Sequence, residues 1–357
     1  MVESGFCNSP DVSLNCGKSM TIAVEQTGLE QQSRTFVESL PQVSIVVLNW
    51  NTRDLTLQCL DSLKQTLGDL RAQIIVVDND SSDGSADTIA ALHPDVTLVR
   101  SSSNLGFARG NNLGFRSAQG DYLVLLNSDT IVLPGAVQRL VQYLVEHPQV
   151  AVAGGQHLDR KKDFVPTGLR FPSLRMDLGV ALGMNKFGPL MLRKNLKLAR
   201  FWYTLETREV DWLSNSFVAF RKELLDRVGP LPEEFFLYGE DVEWYWRIRE
   251  AGLRVAYVHG APIIHFENGS SQQFYQNDKY FRYLDGFYTF AWRHRNPLGW
   301  RLGWLARAVH WSLMGLRWRI RGLLAKDQAA HEQARWLLSF ARYHVDQVLG
   351  RVAPLAF

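Results

Sequence analysis

Two adjacent acids, Glu240 and Asp241, open a helix-like stretch in FFLYGEDVEWYWRIREAG, with Phe236, Tyr238, Trp244 and Trp246 around them. Acids in a first turn favour the helix dipole, and that alone accounts for many such pairs. The aromatic flanks add a second reading. A carboxylate facing an apolar cleft has its pKa raised toward that of a general base. In LLNSDT, Asn127 and Asp129 close an apolar run one residue apart. Alternate residues at a strand end can point the same way, so these oxygens can clamp a divalent cation on a diphosphate; an Asx turn before Pro134 is the other reading. In VVDNDSSDGS, Asp78 ends a buried strand, where an anion has no structural duty and can accept from a nucleobase N–H. Asp80 to Asp83 suit turn and cap chemistry. NLGFARGNNLGF opens a helix with glycines that permit close backbone approach, Gly106 and Gly110, and a helix N-terminus favours phosphate. It is not a dinucleotide fingerprint, because that motif directly follows the first strand, and here the first strand runs into NWNTRD. His265 in IIHFENGSS ends another apolar run; an isolated histidine there is commonly structural, and only its company makes it a candidate ligand.

The elements that must position these groups alternate. VSIVVLNW (Val43 to Trp50) is a continuous apolar run of strand length, followed by a helix over Leu55 to Leu67 and a strand over Gln73 to Asp78. A helix over Ser85 to Leu92, a strand over Val96 to Arg100, a helix from Gly106 to Ser117 and a strand over Asp121 to Leu126 complete the order. This predicts an α/β fold with a mostly parallel sheet and helices on both faces. Ligands then bind at the carboxyl ends of the strands, where Asp78 and Asn127 to Asp129 fall. A helix from Gly135 to Glu146 and a strand over Val150 to Gly155 follow, and Phe171 to Thr207 is expected to be a mobile, basic insertion. Regularity returns with the strand WLSNSFVAFR, a helix from Val242 to Glu250 and the strand LRVAYV. Residues 1–40 are polar and aperiodic and read as a flexible extension, 41–270 as the core domain and 271–357 as a helical C-terminal region.

A net charge of +3 implies no polyanionic partner, so no nucleic acid is expected. The charge is unevenly spread. From Gly286 to Lys326 there is no acid, while arginines from Arg293 to Arg321 interleave with Trp292, Trp300, Trp304, Trp311 and Trp318. A helix over Leu298 to Leu324 can lay its aromatic and aliphatic residues in a bilayer interface with arginines at anionic head groups; packing against the core domain or an oligomer partner is the alternative. The 3 cysteines suggest neither a disulfide framework nor a zinc site, as expected of a cytoplasmic protein. The start has no signal-peptide pattern, and no apolar run is long enough to span a bilayer.

Taken in order, VSIVVLNWN, IVVDNDSSDGS, NLGFARGNNLG, GDYLVLLNSD, VDWLSNSFVAFRKELLDRVG, FFLYGEDVEWYWRIREAG and HFENGSS resemble family 2 glycosyltransferases of the GT-A fold. The likeness is to bacterial rhamnosyltransferase-type and galactofuranosyltransferase-type members. It implies a Rossmann-like mixed sheet flanked by helices, with a helical C-terminal appendage. It implies a nucleotide-sugar donor, a dTDP- or UDP-sugar with dTDP-rhamnose first, and transfer with inversion to a saccharide or lipid-linked acceptor in cell-surface polysaccharide synthesis. Asp241 matches the catalytic base, with Trp212 and Glu240 on the acceptor side. Asp78 matches the nucleobase-binding acid; Asn104, Gly106, Arg109 and Asn111 would line the donor site, with Arg109 equally readable as an exposed, solvated residue. Asn127-Ser128-Asp129 matches the DxD motif, with Asp129 and His265 as ligands of Mg2+ or Mn2+. Asn127 departs from it, and its amide can bind a metal-linked water or the donor ribose. TGLRFPS (Thr167 to Ser173) is similar to a rhamnosyltransferase-like stretch. A peripheral position on the inner face of the cell membrane and a homo-oligomer are compatible with this reading. The rivals are an inactive sugar-nucleotide-binding scaffold, a nucleic-acid binder using the basic aromatic tail, and a sugar nucleotidyltransferase, which would release pyrophosphate.

Overall fold

A computed structural model describes residues 42–182, 206–266 and 279–351. The expected flexible extension over residues 1–40 lies outside these, as does most of the expected insertion, residues 183–205. The first half alternates as its apolar runs predict: β1 (Val43–Asn49), α1 (Arg53–Thr66), β2 (Ala72–Asp78), α2 (Ser85–Leu92), β3 (Thr97–Arg100), α3 (Gly106–Arg116) and β4 (Tyr122–Asn127). The continuous Val/Ile/Leu runs of β1, β2 and β4 are buried because strands flank them and helices cover them. β1 pairs in parallel with β2 and β4, with Asn49 opposite Asp78 and Leu48 opposite Asn127. Their carboxyl ends therefore share one edge, and the polar residues that close each run meet there.

Beyond β4 come β5 (Thr130–Val132), α4 (Ala136–Glu146), β6 (Val150–Leu158), β7 (Phe164–Val165), β8 (Gly168–Leu169) and α5 (Leu174–Ala181). After the undescribed gap follow β9 (Arg208–Val210), β10 (Trp212–Leu213), β11 (Phe217–Arg221), α6 (Leu224–Val228), α7 (Glu240–Glu250) and β12 (Arg254–His265). Here the sheet becomes mixed. β11 lies antiparallel between β4 and β6, and β12 runs parallel to β6 and antiparallel to β5. The order among the described residues is β3-β2-β1-β4-β11-β6-β12-β5. The pairing of β12 with β5 sets His265 opposite Thr130, one residue from Asp129.

The chain ends in α8 (Lys279–His294), α9 (Pro297–Ala325) and α10 (Gln328–Val348). Asn296 caps α9 by accepting from the Leu298 and Gly299 amides, with Pro297 at the first helical position. Gly315 and Gly322 face α10, where a Cβ at Gly315 would meet Leu338 at 2.8 Å and one at Gly322 the His331 ring at 3.1 Å.

Two expectations are corrected here. The stretch from Phe171 is not wholly a mobile insertion: α5 packs on α9, and its Asp177, 1% exposed, pairs with Arg295 (2.9 Å) and Arg307 (2.8 Å). The basic, aromatic tail also spends part of its character inside the protein. Trp300 and Trp304 are buried with Tyr288 and Ala291, so these tryptophans are not interfacial, and Arg295 and Arg307 answer a buried acid instead of a head group.

Candidate active site

The edge shared by β1, β2 and β4 carries a buried polar network. Asn49, fully buried at the end of β1, donates from Nδ2 to Asp78 Oδ2 (2.7 Å) and Ser81 Oγ (3.0 Å). Its Oδ1 accepts from Thr52 Oγ1 (2.9 Å) and Thr56 Oγ1 (2.7 Å), and Thr52 Oγ1 lies 3.0 Å from Ser128 Oγ. Asp78 Oδ1 accepts from the Ser81 amide at 3.1 Å. A carboxylate has about four acceptor positions, so these bonds fix its orientation while leaving capacity for a ligand N–H. Asp83 does the turn work expected of it, accepting from the amides of Arg53 and Ser85.

The loop into α3 is held by Asn79, whose Nδ2 donates to Asn104 Oδ1 (2.9 Å) and whose Oδ1 accepts from the Leu105 amide (2.9 Å). The expected phosphate cradle differs in one respect. The Gly106 amide donates to Asn104 Oδ1, and the Phe107 amide to the Phe236 carbonyl at 2.7 Å. Gly106 has φ +77°, and a Cβ there would collide with that carbonyl; a Cβ at Gly110 would meet Leu48 at 2.6 Å. These glycines thus admit the protein's own chain, and the first two amides of α3 are already used. Asn111, fully buried, donates to the Phe107 carbonyl, and Arg109 stands exposed, 3.7 Å from Glu233.

Asn127 ends β4 with its amide donating to the Ser216 carbonyl, and Ser128 and Asp129 form the turn into β5. There Asp129 Oδ1 meets His265 Nε2 at 3.1 Å across 136 residues of chain. The contact depends on β12 closing against β5. His157 of β6 lies edge-on to His265, with ring centroids 5.4 Å apart. Among the described residues no group of three or more His, Cys, Asp or Glu side chains converges on one point. An acid oxygen and an imidazole nitrogen in contact fit part of a divalent-cation shell whose other positions belong to a diphosphate and water. Cys59, buried beside Thr130, has its thiol pushed up to about 12 by desolvation and is no nucleophile.

Asp241 stands in the first turn of α7, reached through Tyr238 and Gly239, both at positive φ (68° and 105°). A tyrosine there stores strain of order 1 kcal/mol, held by the packing around it. Burial pushes the Asp241 carboxyl up to about 6 against the hydrogen bonds it accepts, one from the Val242 amide at 2.8 Å. Glu240, 4% exposed, is raised well above the ordinary carboxylate range by desolvation first and by Asp241 second. Tyr245 of the same helix donates to Asn215 Oδ1 at 2.8 Å, next to the Ser216 that holds Asn127. Asp241 is thereby linked to the sheet edge.

The C-terminal region reaches this site, which the sequence reading missed. A Cβ on either Gly239 or Gly286 of α8 would lie 2.7 Å from the other's Cα, so α8 touches the turn that presents Asp241. It brings Tyr283, whose ring packs on Phe287 (4.6 Å) and edge-on to Tyr238 (5.8 Å). Trp212 touches Phe287 at 5.9 Å but is 3% exposed, so it backs this wall of rings instead of fronting it. The helical spacing of α8 was legible; its contact with Gly239 had no signal beyond an unexplained glycine.

The family model "Glycosyl transferase family 2" matches residues 44–225, and the chain belongs to that family. It is a glycosyltransferase of the GT-A fold. An N-acetylglucosaminyl-diphospho-decaprenol L-rhamnosyltransferase of Mycobacterium tuberculosis is 27% identical over 256 residues, covering 68% of this chain and 80% of that protein. A rhamnosyltransferase of Escherichia coli is 26% identical over 179 residues, covering 48% and 64%. Among solved structures, a mannosyltransferase of Pyrobaculum calidifontis, in complex with GDP-Man and Mn2+, superposes with a TM-score of 0.50 at 17% identity, covering 88% and 87%.

Proposed function

We propose that the protein is an inverting, metal-dependent glycosyltransferase that moves a sugar, rhamnose first among candidates, from a nucleoside-diphosphate donor to a lipid-linked saccharide in polysaccharide synthesis. The contact of Asp129 with His265 carries the reading, because two residues so distant in sequence meet where the strand-end network converges. In this reading Asp78, oriented by Asn49 and Ser81, accepts from the nucleobase. Asn127 is assigned to the donor ribose or the ion's surroundings, and Asp129 and His265 would hold Mg2+ or Mn2+. Such an ion, when bound, would supply electrostatic stabilisation of the negative charge on the departing diphosphate. The Asp241 carboxylate takes the acceptor hydroxyl proton as that oxygen bonds to the anomeric carbon. The bond from that carbon to the diphosphate breaks on the opposite face, its electron pair leaving with the nucleoside diphosphate, so configuration inverts. Asn104, Gly106 and Asn111 are assigned to shaping the donor side, with Arg109 near the phosphates. The names of the rhamnosyltransferase relatives support the sugar and the acceptor class. Catalysis at the inner face of a cell membrane follows from such an acceptor.

Nucleoside diphosphate release is the direct test, run with dTDP-, UDP- and GDP-sugars, Mg2+ or Mn2+, and lipid extract. Release from one donor, lost with chelator and in His265→Ala, is expected; pyrophosphate release would overturn the reading. The same assay tests the wall of rings. Tyr283→Ala is expected to raise the KM for acceptor about three- to tenfold, the worth of one aromatic contact, while donor hydrolysis by water is unchanged. An unchanged KM would remove Tyr283 from the acceptor side.

A further inference from the structure

Helix α9 spans 29 residues, about 43 Å, and buries one side against α5 and α10. Its other side is an apolar stripe. Leu302, Leu305, Val309, Leu313, Leu316 and Ile320 recur at three- and four-residue steps, each between 46% and 62% exposed. Leu298, Leu323 and Leu324 continue it at the ends and are 65% to 83% exposed. At 100° per residue, the exposed Arg301 and Arg319 fall along one border and the exposed Arg317 and Arg321 along the other. No acid interrupts the sequence between Gly286 and Lys326. Among the described residues no helix is long and apolar enough to cross a membrane.

We propose that this face of α9 lies flat in the head-group region of an anionic bilayer, with the aliphatic stripe in the acyl boundary and both arginine rows on lipid phosphates. Exposed stripes of this size call for a partner, and the charge selects it. A second copy of α9 packed stripe to stripe would bring arginine rows beside arginine rows, with no acid on that face to answer them. Anionic head groups satisfy both rows at once, and long arginine stems let the charges reach outward while the leucines sink. The purpose of the surface rests on the lipid-linked acceptor proposed above, since α8 joins α9 to the turn that presents Asp241. The surface itself needs no activity.

The full chain is tested by flotation with vesicles of phosphatidylcholine alone and of phosphatidylcholine with phosphatidylglycerol, without donor or acceptor. Wild type is expected to float with the anionic vesicles and to be released by salt. Leu305→Glu/Leu313→Glu and Arg301→Glu/Arg317→Glu, all at exposed positions, are each expected to reduce binding roughly tenfold or more at unchanged circular dichroism. Binding that is equal on both vesicle types, absent in wild type, or insensitive to both double variants overturns the proposal. So does a wild-type dimer that Leu305→Glu/Leu313→Glu converts to monomer. Donor hydrolysis retained in the floating-defective variants separates failure of this surface from failure of the transferase reading.

Discussion

Asp241→Asn is expected to lower transfer by about two to four orders of magnitude while making the protein more stable at neutral pH. The first effect follows from the proton: an amide cannot take it from the acceptor hydroxyl, and Glu240 is buried, with desolvation and the neighbouring Asp241 raising its carboxyl well above the ordinary range. The second follows from linkage. A carboxyl raised to about 6 in the folded protein, against about 3.9 when unfolded, contributes stability that is complete below the unfolded value and lost as pH rises through 6. At neutral pH the ionised Asp241 is therefore a burden on the fold, and asparagine removes it by about 1 to 3 kcal/mol. The wild-type kcat/KM should fall with acid through an apparent pKa near 6, and the residual activity of the variant should lack that limb. A variant both inactive and less stable would place Asp241 in a structural role.

How much of this was readable before the structure depends on which physical signal each part carries. β1, β2 and β4 were legible because strands buried on both faces must be apolar throughout, and their closing Asn49, Asp78 and Asn127 stand out as polar residues ending such runs. Asp129 and His265 were each legible as candidates, but only the family resemblance put them on one cation, since their contact depends on β12 pairing antiparallel with β5. Glycines were legible as points of close approach, without the identity of what approaches. Gly106 announces that something approaches, and no sequence pattern says that the approaching group is the Phe236 carbonyl and not a phosphate. The tryptophans Trp300 and Trp304 of α9 were expected on the outer face together with its leucines, and they differ from that expectation for a similar reason. Both types recur at helical spacing, and only the docking of α5 and α10 decides that Trp300 and Trp304 turn inward while the leucines face out. Asn79, which ties the loop into α3, was hidden among residues that read equally well as turn chemistry.

Asp177→Ala is expected to cost about 3 to 5 kcal/mol and to lower Tm by on the order of 10 °C, a larger loss than any single exposed substitution. Asp177 is shared by Arg295 at the end of α8 and Arg307 in α9, with Gly303 leaving space for the carboxylate where any Cβ would collide with it. Removing the acid strands two arginines that are 12% and 20% exposed, and the cost is their uncompensated charge more than the lost bonds. Asp177→Asn, which keeps acceptor oxygen without the charge, should lose less, and a hydrophobic triple replacement of Asp177, Arg295 and Arg307 should recover part of the loss. Because α8 carries Gly286 against Gly239, loosening its far end is also expected to raise the KM for acceptor before the sheet unfolds. A Tm unchanged in Asp177→Ala would mean that α5 is not a strut for the C-terminal helices, and the tie between those helices and the Asp241 turn would have to rest on the Glu243–His294 and Glu234–Arg293 pairs, each at 2.9 Å.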